Sequence, residues 1–258
     1  MIDVGMQTPH ETAIPSKLCA TLAPSRRLRM DGYRLSIFPS NKAFFAAAIL
    51  ACAIACTGSV GLAQKEATMI AIEKTDIGRP PSGFEFARTG QGGLGQWVVV
   101  NDPTATGGYA IEQSSADQTD NRFPLAIYSP LSVKNIAAVV RFKSVAGKVD
   151  QAAGVVVRLI DPNNYYVVRA NALEDNVRFY RVVKGRREQI EGANLKVSAN
   201  EWHTLGLKAE DDRFTVTFDG KQLFTTSDRT FTEAGRFALW TKADSVMRFD
   251  RIEIKPLL

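Results

Sequence analysis

Cysteine occurs at only three positions, Cys19, Cys52 and Cys56, and none lies beyond residue 63. The remaining stretch of roughly 195 residues therefore has no disulfide and no thiolate metal site, yet it is long enough to bury a self-sufficient core. Histidine is equally scarce. Only His203 falls after residue 63; it lies beside Trp202 within a strand pattern, with no Ser-His-Asp or metal-like companion in sequence, and reads as structural. Excess charge of one sign is missing too. Of 32 basic and 27 acidic residues, six and three fall in residues 1–63, leaving 26 against 24. A nearly neutral domain offers no footprint for a phosphate backbone, which excludes nucleic acid as an expected partner. The glycines of Gly90–Gln96 have neither a Lys-Ser/Thr ending nor a helix pattern behind them, so no phosphate loop is expected.

The chain does carry an uncharged apolar run, Ala43–Ala55, preceded by Arg34 and Lys42 and followed by Gly61-Leu62-Ala63. Basic, apolar and small-residue segments in that order predict a signal peptide cut at Ala63/Gln64. The run is short for a membrane span. Cys52 and Cys56 each end part of a lipobox, so a lipidated or uncleaved N-terminus is the alternative and the one expected route to a membrane. Met1 and Met30 both stand as starts, Met30 giving the more typical leader. The expected organisation is an extension and signal peptide over 1–63 and one domain over 64–258, secreted or periplasmic.

After Gln64 no long amphipathic helix pattern appears. Short β-branched and aromatic runs alternate with Gly, Asn, Asp and Pro clusters, predicting strands at Thr68–Glu73, Gln96–Val100, Tyr109–Gln113, Leu125–Tyr128 and Ile136–Ser144. The series continues through Gly154–Ile160, Tyr165–Asn171, Asn176–Lys184, Arg187–Glu191 and Trp202–Ala209. It closes with Phe214–Phe218, Gln222–Ser227, Gly235–Thr241 and Met247–Ile254. Gly78–Gly95, rich in Gly and Pro, reads as a loop. Asp219-Gly220 and Lys184-Gly185 read as tight hairpin turns. The expected fold is an all-β sandwich or barrel.

Several segments carry a resemblance: Ala153–Tyr180, Glu201-Trp-His-Thr-Leu, Phe218-Asp-Gly-Lys, Gly235-Arg-Phe-Ala-Leu-Trp-Thr-Lys-Ala-Asp-Ser and Phe249-Asp-Arg-Ile. Together they resemble the 3-keto-disaccharide hydrolase-like domain family. The resemblance implies a concanavalin A-like jelly roll of two antiparallel sheets, shared with lectins, laminin G-like modules and family 16 glycoside hydrolases. It also implies a carbohydrate partner and hydrolysis of a glycosidic bond in an oxidised disaccharide. A jelly roll also carries non-catalytic modules, so a laminin G-like adhesion module that binds protein is the alternative function.

Glycoside hydrolysis uses two carboxyl groups flanking the scissile bond. The Glu-x-Asp-x-x-Glu strand of family 16 is absent: Glu210 and Asp212 have the first spacing, but Thr215 stands third. Glu174, Asp175 and Asp244 remain as acid or base candidates. Asp161, Asn163 and Asn164 flank Pro162 without the alternating spacing of a calcium loop, so that segment reads as a turn. Calcium is left as the one cofactor that laminin G-like relatives imply. Strand alternation places Val155, Val157, Leu159, Tyr166, Val168, Val177, Phe179, Phe237 and Leu239 inward. The opposite face then presents Arg158, Arg169, Asn171, Tyr180, Trp240 and Lys242, rings and forked donors of the kind that hold a sugar. A one-residue register shift would invert any of these positions.

Overall fold

The computed structural model describes residues 66–258; the N-terminal extension, the apolar run and the expected cleavage site lie outside the described residues. The strands, in chain order, are β1 (Thr68–Ile70), β2 (Phe84–Gly90), β3 (Trp97–Asn101), β4 (Tyr109–Gln113) and β5 (Arg122–Val133). Next come β6 (Ile136–Ala146), β7 (Ala152–Asp161), β8 (Asn164–Asn171), β9 (Asn176–Val183) and β10 (Arg186–Asn194). The last are β11 (Trp202–Glu210), β12 (Arg213–Phe218), β13 (Lys221–Ser227), β14 (Gly235–Thr241) and β15 (Val246–Pro256). An eight-stranded sheet runs β13-β12-β11-β6-β15-β4-β3, with β1 added along β15, and a seven-stranded sheet runs β10-β9-β8-β7-β14-β5-β2. All these pairings are antiparallel.

The period-two pattern explains the core between the sheets. Val155, Val157, Tyr166, Val168, Phe179, Phe237 and Leu239 face Phe142, Leu205, Leu207, Phe214, Val216 and Phe249 across it. Both expected hairpin turns form, with positive φ at Asp219, Gly220, Lys184 and Gly185, matching the twist that two-residue hairpins need.

The other face of the seven-stranded sheet is not simply wet. Phe123, Leu125, Ile127, Val156, Tyr165, Val167, Val182 and Trp240 make a second buried cluster there. The sheet curls far enough for its distant strands to meet. Thr89 of β2 touches Tyr165 of β8, Oγ1 to Oη 2.8 Å, and the Arg187 guanidinium of β10 lies over Phe123 of β5 at 4.9 Å. The concave floor is thereby filled with side chains.

Two expectations need correction. Gly78–Gly95 is not all loop, because Phe84–Gly90 pairs in register with β5 as the sheet edge. Gly and Pro before that strand, and Gly after it, hide it from a compositional reading. Arg158, expected beside Arg169, points the other way. The register between β7 and β8 shifts after Val157, and Arg158 takes φ 49° in a bulge. Val157 stays in the main core, Leu159 moves to the second cluster, and Arg158 turns toward Phe214, 5.3 Å from that ring. Its guanidinium donates to the carbonyls of Lys134 (2.9 Å), Phe231 (2.8 Å) and Asp211. Gly235 permits the bulge, since a Cβ there would overlap the Arg158 backbone.

Candidate functional site

Across the concave face the register aligns Trp240, Gly154, Arg169 and Arg178 in one row, and residues opposite one another in neighbouring strands share a face. The Trp240 indole lies over Gly154, where a Cβ would meet Cε3 at 3.0 Å. Trp240 is fully buried, stacked on Phe123 with centroids 5.4 Å apart. It is on the expected face but beneath the surface, so it offers no platform for a ligand.

Arg169, Asn171, Tyr180 and Lys242 do come together at one end of this face. Arg169 donates to Glu174 Oε2 (2.8 Å), to Tyr180 Oη (3.2 Å) and to Asn176. Asn171 donates to Asp150 Oδ1 at 2.7 Å. Lys242 Nζ bridges Asp150 Oδ2 (2.6 Å) and Asp120 Oδ1 (2.8 Å). Burial pushes the Asp150 carboxyl above its ordinary value, with Lys242 opposing. The Lys242 contact pulls Asp120 down. Burial would lower Lys242, but its two carboxylates outweigh that and raise it. For Glu174, burial raises the carboxyl while Arg169 and Asn176 together bring it below its usual range. Two carboxylates stay open to solvent here, Glu174 with 46% of its side chain exposed and Asp120 with 65%.

The other two candidate acids serve elsewhere. Asp175 accepts from the Val197 amide at 3.0 Å and pairs with Lys196. Asp244 accepts from the amides of Lys148 (2.7 Å), Val149 (3.0 Å) and Asp150 (3.0 Å). It therefore holds the loop that presents Asp150. Burial raises the Asp244 carboxyl, but those three amides outweigh it and leave the group below its ordinary value. A depressed carboxyl contributes stability above its unfolded-state value and loses it as pH falls through the folded one. Acidification below about pH 4 is expected to release this loop, seen as faster hydrogen exchange at Val149 and Asp150. Asp244→Asn should show that faster exchange already at neutral pH; unchanged protection in the variant would contradict the assignment.

Residues the strand pattern did not single out complete the site. Arg187 lies over Tyr180 (4.6 Å), Phe123 (4.9 Å) and Trp240 (5.9 Å). Beside it a cleft of about 390 Å³ is lined by Gly90, Asn121, Phe123, Gly185, Arg186 and Arg187. Arg187 was within reach of sequence reasoning, because it pairs with Val182 across the Lys184-Gly185 turn and so shares the face of Tyr180. Asp120 and Asp150 sit in connections and carry no such signal.

Three exposed aliphatic side chains belong to loops at this end: Leu94, Val149 and Leu173. Each loop is pinned by a buried polar side chain. Arg122 donates to the Leu94 carbonyl (3.1 Å), Asp244 accepts from the Val149 amide, and Asn171 Oδ1 accepts from the Leu173 amide (2.9 Å).

His203 sits between Asp219 (Nδ1 to Oδ2, 2.8 Å) and the Ser198 carbonyl (Nε2 to O, 3.2 Å), tying a hairpin tip to a loop. Asp161 closes the β7–β8 turn by accepting from the Asn163 amide at 2.7 Å and from the Asn164 side chain. Among the described residues no cluster of three metal-ligating side chains is present.

No family model matches the chain, and no curated protein does. Solved structures do. The carbohydrate-binding module CBM66 from Bacillus subtilis aligns with a TM-score of 0.51 at 18% identity, covering 75% of this chain and 97% of that one. A Bacillus subtilis protein of unknown function with a galectin-like fold also aligns with a TM-score of 0.51, at 9% identity over 76% and 99% of the two chains. A β-glucanase from Bacillus licheniformis aligns less well, with a TM-score of 0.47 at 11% identity over 75% and 99%. At such identities the first two likenesses speak for architecture. The described part of the chain is a concanavalin A-like jelly-roll sandwich of two antiparallel sheets.

Proposed function

We propose that this protein binds carbohydrate at the polar end of its concave face. The observation that carries the reading is the convergence of Arg169, Asn171, Glu174, Asp120, Asp150 and Lys242 from four separate segments onto one patch. Charged and amide groups held by one another, beside a cleft, supply the directional hydrogen bonds that sugar hydroxyls need. The aromatic rings lie beneath, so the apolar C–H faces of a sugar meet Leu94, Val149 and Leu173 instead. The fold is one that the carbohydrate-binding module CBM66 also adopts, which agrees with the reading. A leader over residues 1–63 and a secreted or periplasmic destination belong to the same proposal.

The finer reading is hydrolysis of a glycosidic bond, the 3-keto-disaccharide coming from the family resemblance alone and the acid–base chemistry from a carboxyl pair. Asp150 and Asp120 flank one ammonium, and their carboxyls are pushed in opposite directions, up by burial and down by the lysine contact. Divergent environments of that kind separate an acid from a base.

The test is a glycan array with the full chain, together with incubation with a 3-keto-glucoside. Glu174→Gln and Asp120→Asn are each expected to weaken binding about tenfold, the worth of one charge-assisted hydrogen bond, with little change in melting temperature because both groups are exposed. Absence of both binding and turnover would remove the proposal and leave the adhesion module standing.

A further inference from the structure

We propose that the ligand carries a carboxylate, and that Arg186 and Arg187 form a subsite for a uronic acid unit; the inference rests on the carbohydrate reading above. These two arginines are the charged side chains lining the cleft. Neither takes part in an ion pair among the described residues. Other arginines of the same sheet have an acceptor: Arg169, Arg181 and Arg236 meet carboxylates at 2.8 Å, and Arg158 and Arg178 donate to backbone carbonyls.

Two acids beside these arginines in the chain or in space are already engaged. Glu188 is held by Arg181 at 2.8 Å. Asp120, which lies near enough to feel the Arg187 charge, is bound to Lys242.

Arg187 is also fixed in place. Its guanidinium sits over the rings of Tyr180, Phe123 and Trp240, and its Nη1 is buried without a hydrogen-bond partner. A half-buried guanidinium laid on aromatic rings keeps its planar fork organised, and its natural complement is a planar, two-oxygen anion. An unmet buried donor costs free energy that an incoming acceptor removes. Asn121 lines the same cleft and adds an amide for neighbouring hydroxyls. Asp120, Asp150 and Glu174 stand next to this subsite, which suits a saccharide whose neutral hydroxyls reach the polar cluster while its carboxylate stays with the arginines. Two cations in a near-neutral domain match a single carboxylate better than a polyanion.

The experiment is calorimetric titration of the full chain with a trisaccharide carrying one galacturonic acid unit, its methyl ester, and the same sugar bearing one sulfate in place of the carboxylate. The acid is expected to bind at least tenfold more tightly than the ester, with the advantage shrinking as salt is raised. Arg186→Gln and Arg187→Lys should each reduce that advantage to threefold or less. The lysine variant keeps a cation over the rings and loses only the fork, and its melting temperature reports that the fold persists. Equal binding of acid and ester, a preference surviving in both variants, or binding of the sulfated sugar above the acid would overturn the uronate assignment. If a neutral glycan from the array still binds in a Glu174-dependent way, the broader carbohydrate reading stands while this one fails. If no glycan binds at all, both fall together.

Discussion

Trp240→Ala is expected to lower the melting temperature by roughly 10 °C, far more than loss of an exposed sugar-stacking ring would. The indole is fully buried on the concave face, stacked on Phe123 and laid across Gly154. Emptying a site of that size costs about 3–5 kcal/mol, and each kcal/mol moves the midpoint of a domain this long by about 2–4 °C. The neighbouring glycine gives an internal check. A methyl group at Gly154 would press on Trp240 Cε3 and on the Val168 carbonyl, 2.9 Å away, so Gly154→Ala should cost about 1–3 kcal/mol alone and less when Trp240 is already alanine. Thermal unfolding of the two single variants and the double variant measures that coupling. A Trp240→Ala shift below about 2 °C, or strict additivity with Gly154→Ala, would mean that the indole is not packed as described.

The second large effect is expected at Arg158. Removing the guanidinium leaves the carbonyls of Lys134, Phe231 and Asp211 without their donor and strips a cation from the Phe214 ring. Hydrogen bonds from a charged donor are worth about 1.5–3 kcal/mol each, so Arg158→Ala should destabilise by about 3 kcal/mol or more. Arg158→Gly should be the milder variant by about 1 kcal/mol, because glycine adopts the positive φ of the bulge without a Cβ penalty. The order of the two variants in urea midpoints tests the bulge, and the size of the loss tests the burial. An arginine on a solvated sheet face would cost less than about 0.5 kcal/mol in either variant.

These two positions show where strand alternation was enough and where it was not. In β8, β9 and β14 the period-two pattern runs unbroken, so Tyr166, Val168, Phe179 and Leu239 lie in the core while Arg169, Tyr180 and Trp240 lie opposite. In β7 the pattern breaks after Val157, where the strand has one residue more than β14 and two more than β8, and Arg158 and Leu159 change sides. Nothing in Val-Val-Val-Arg-Leu-Ile announces the bulge. It is stabilised by a glycine about 77 residues later and by carbonyls from three other segments. For β2, the strand signal was outweighed by the glycines and prolines around it, and pairing to β5 decided the outcome.

The sandwich class, the hairpins at Asp219-Gly220 and Lys184-Gly185, and the inward residues of the regular strands were determined by the sequence itself. They depend on local φ preferences and on a side-chain period of two, both of which can be read from neighbours along the chain. The curl of the seven-stranded sheet was decided only in three dimensions. That curl buries Trp240, carries Arg187 over Phe123, and lets Asp120 and Asp150 close on Lys242 from separate loops. Curvature is a sum of twists over seven strands and their packing partners, so no single stretch of residues carries it.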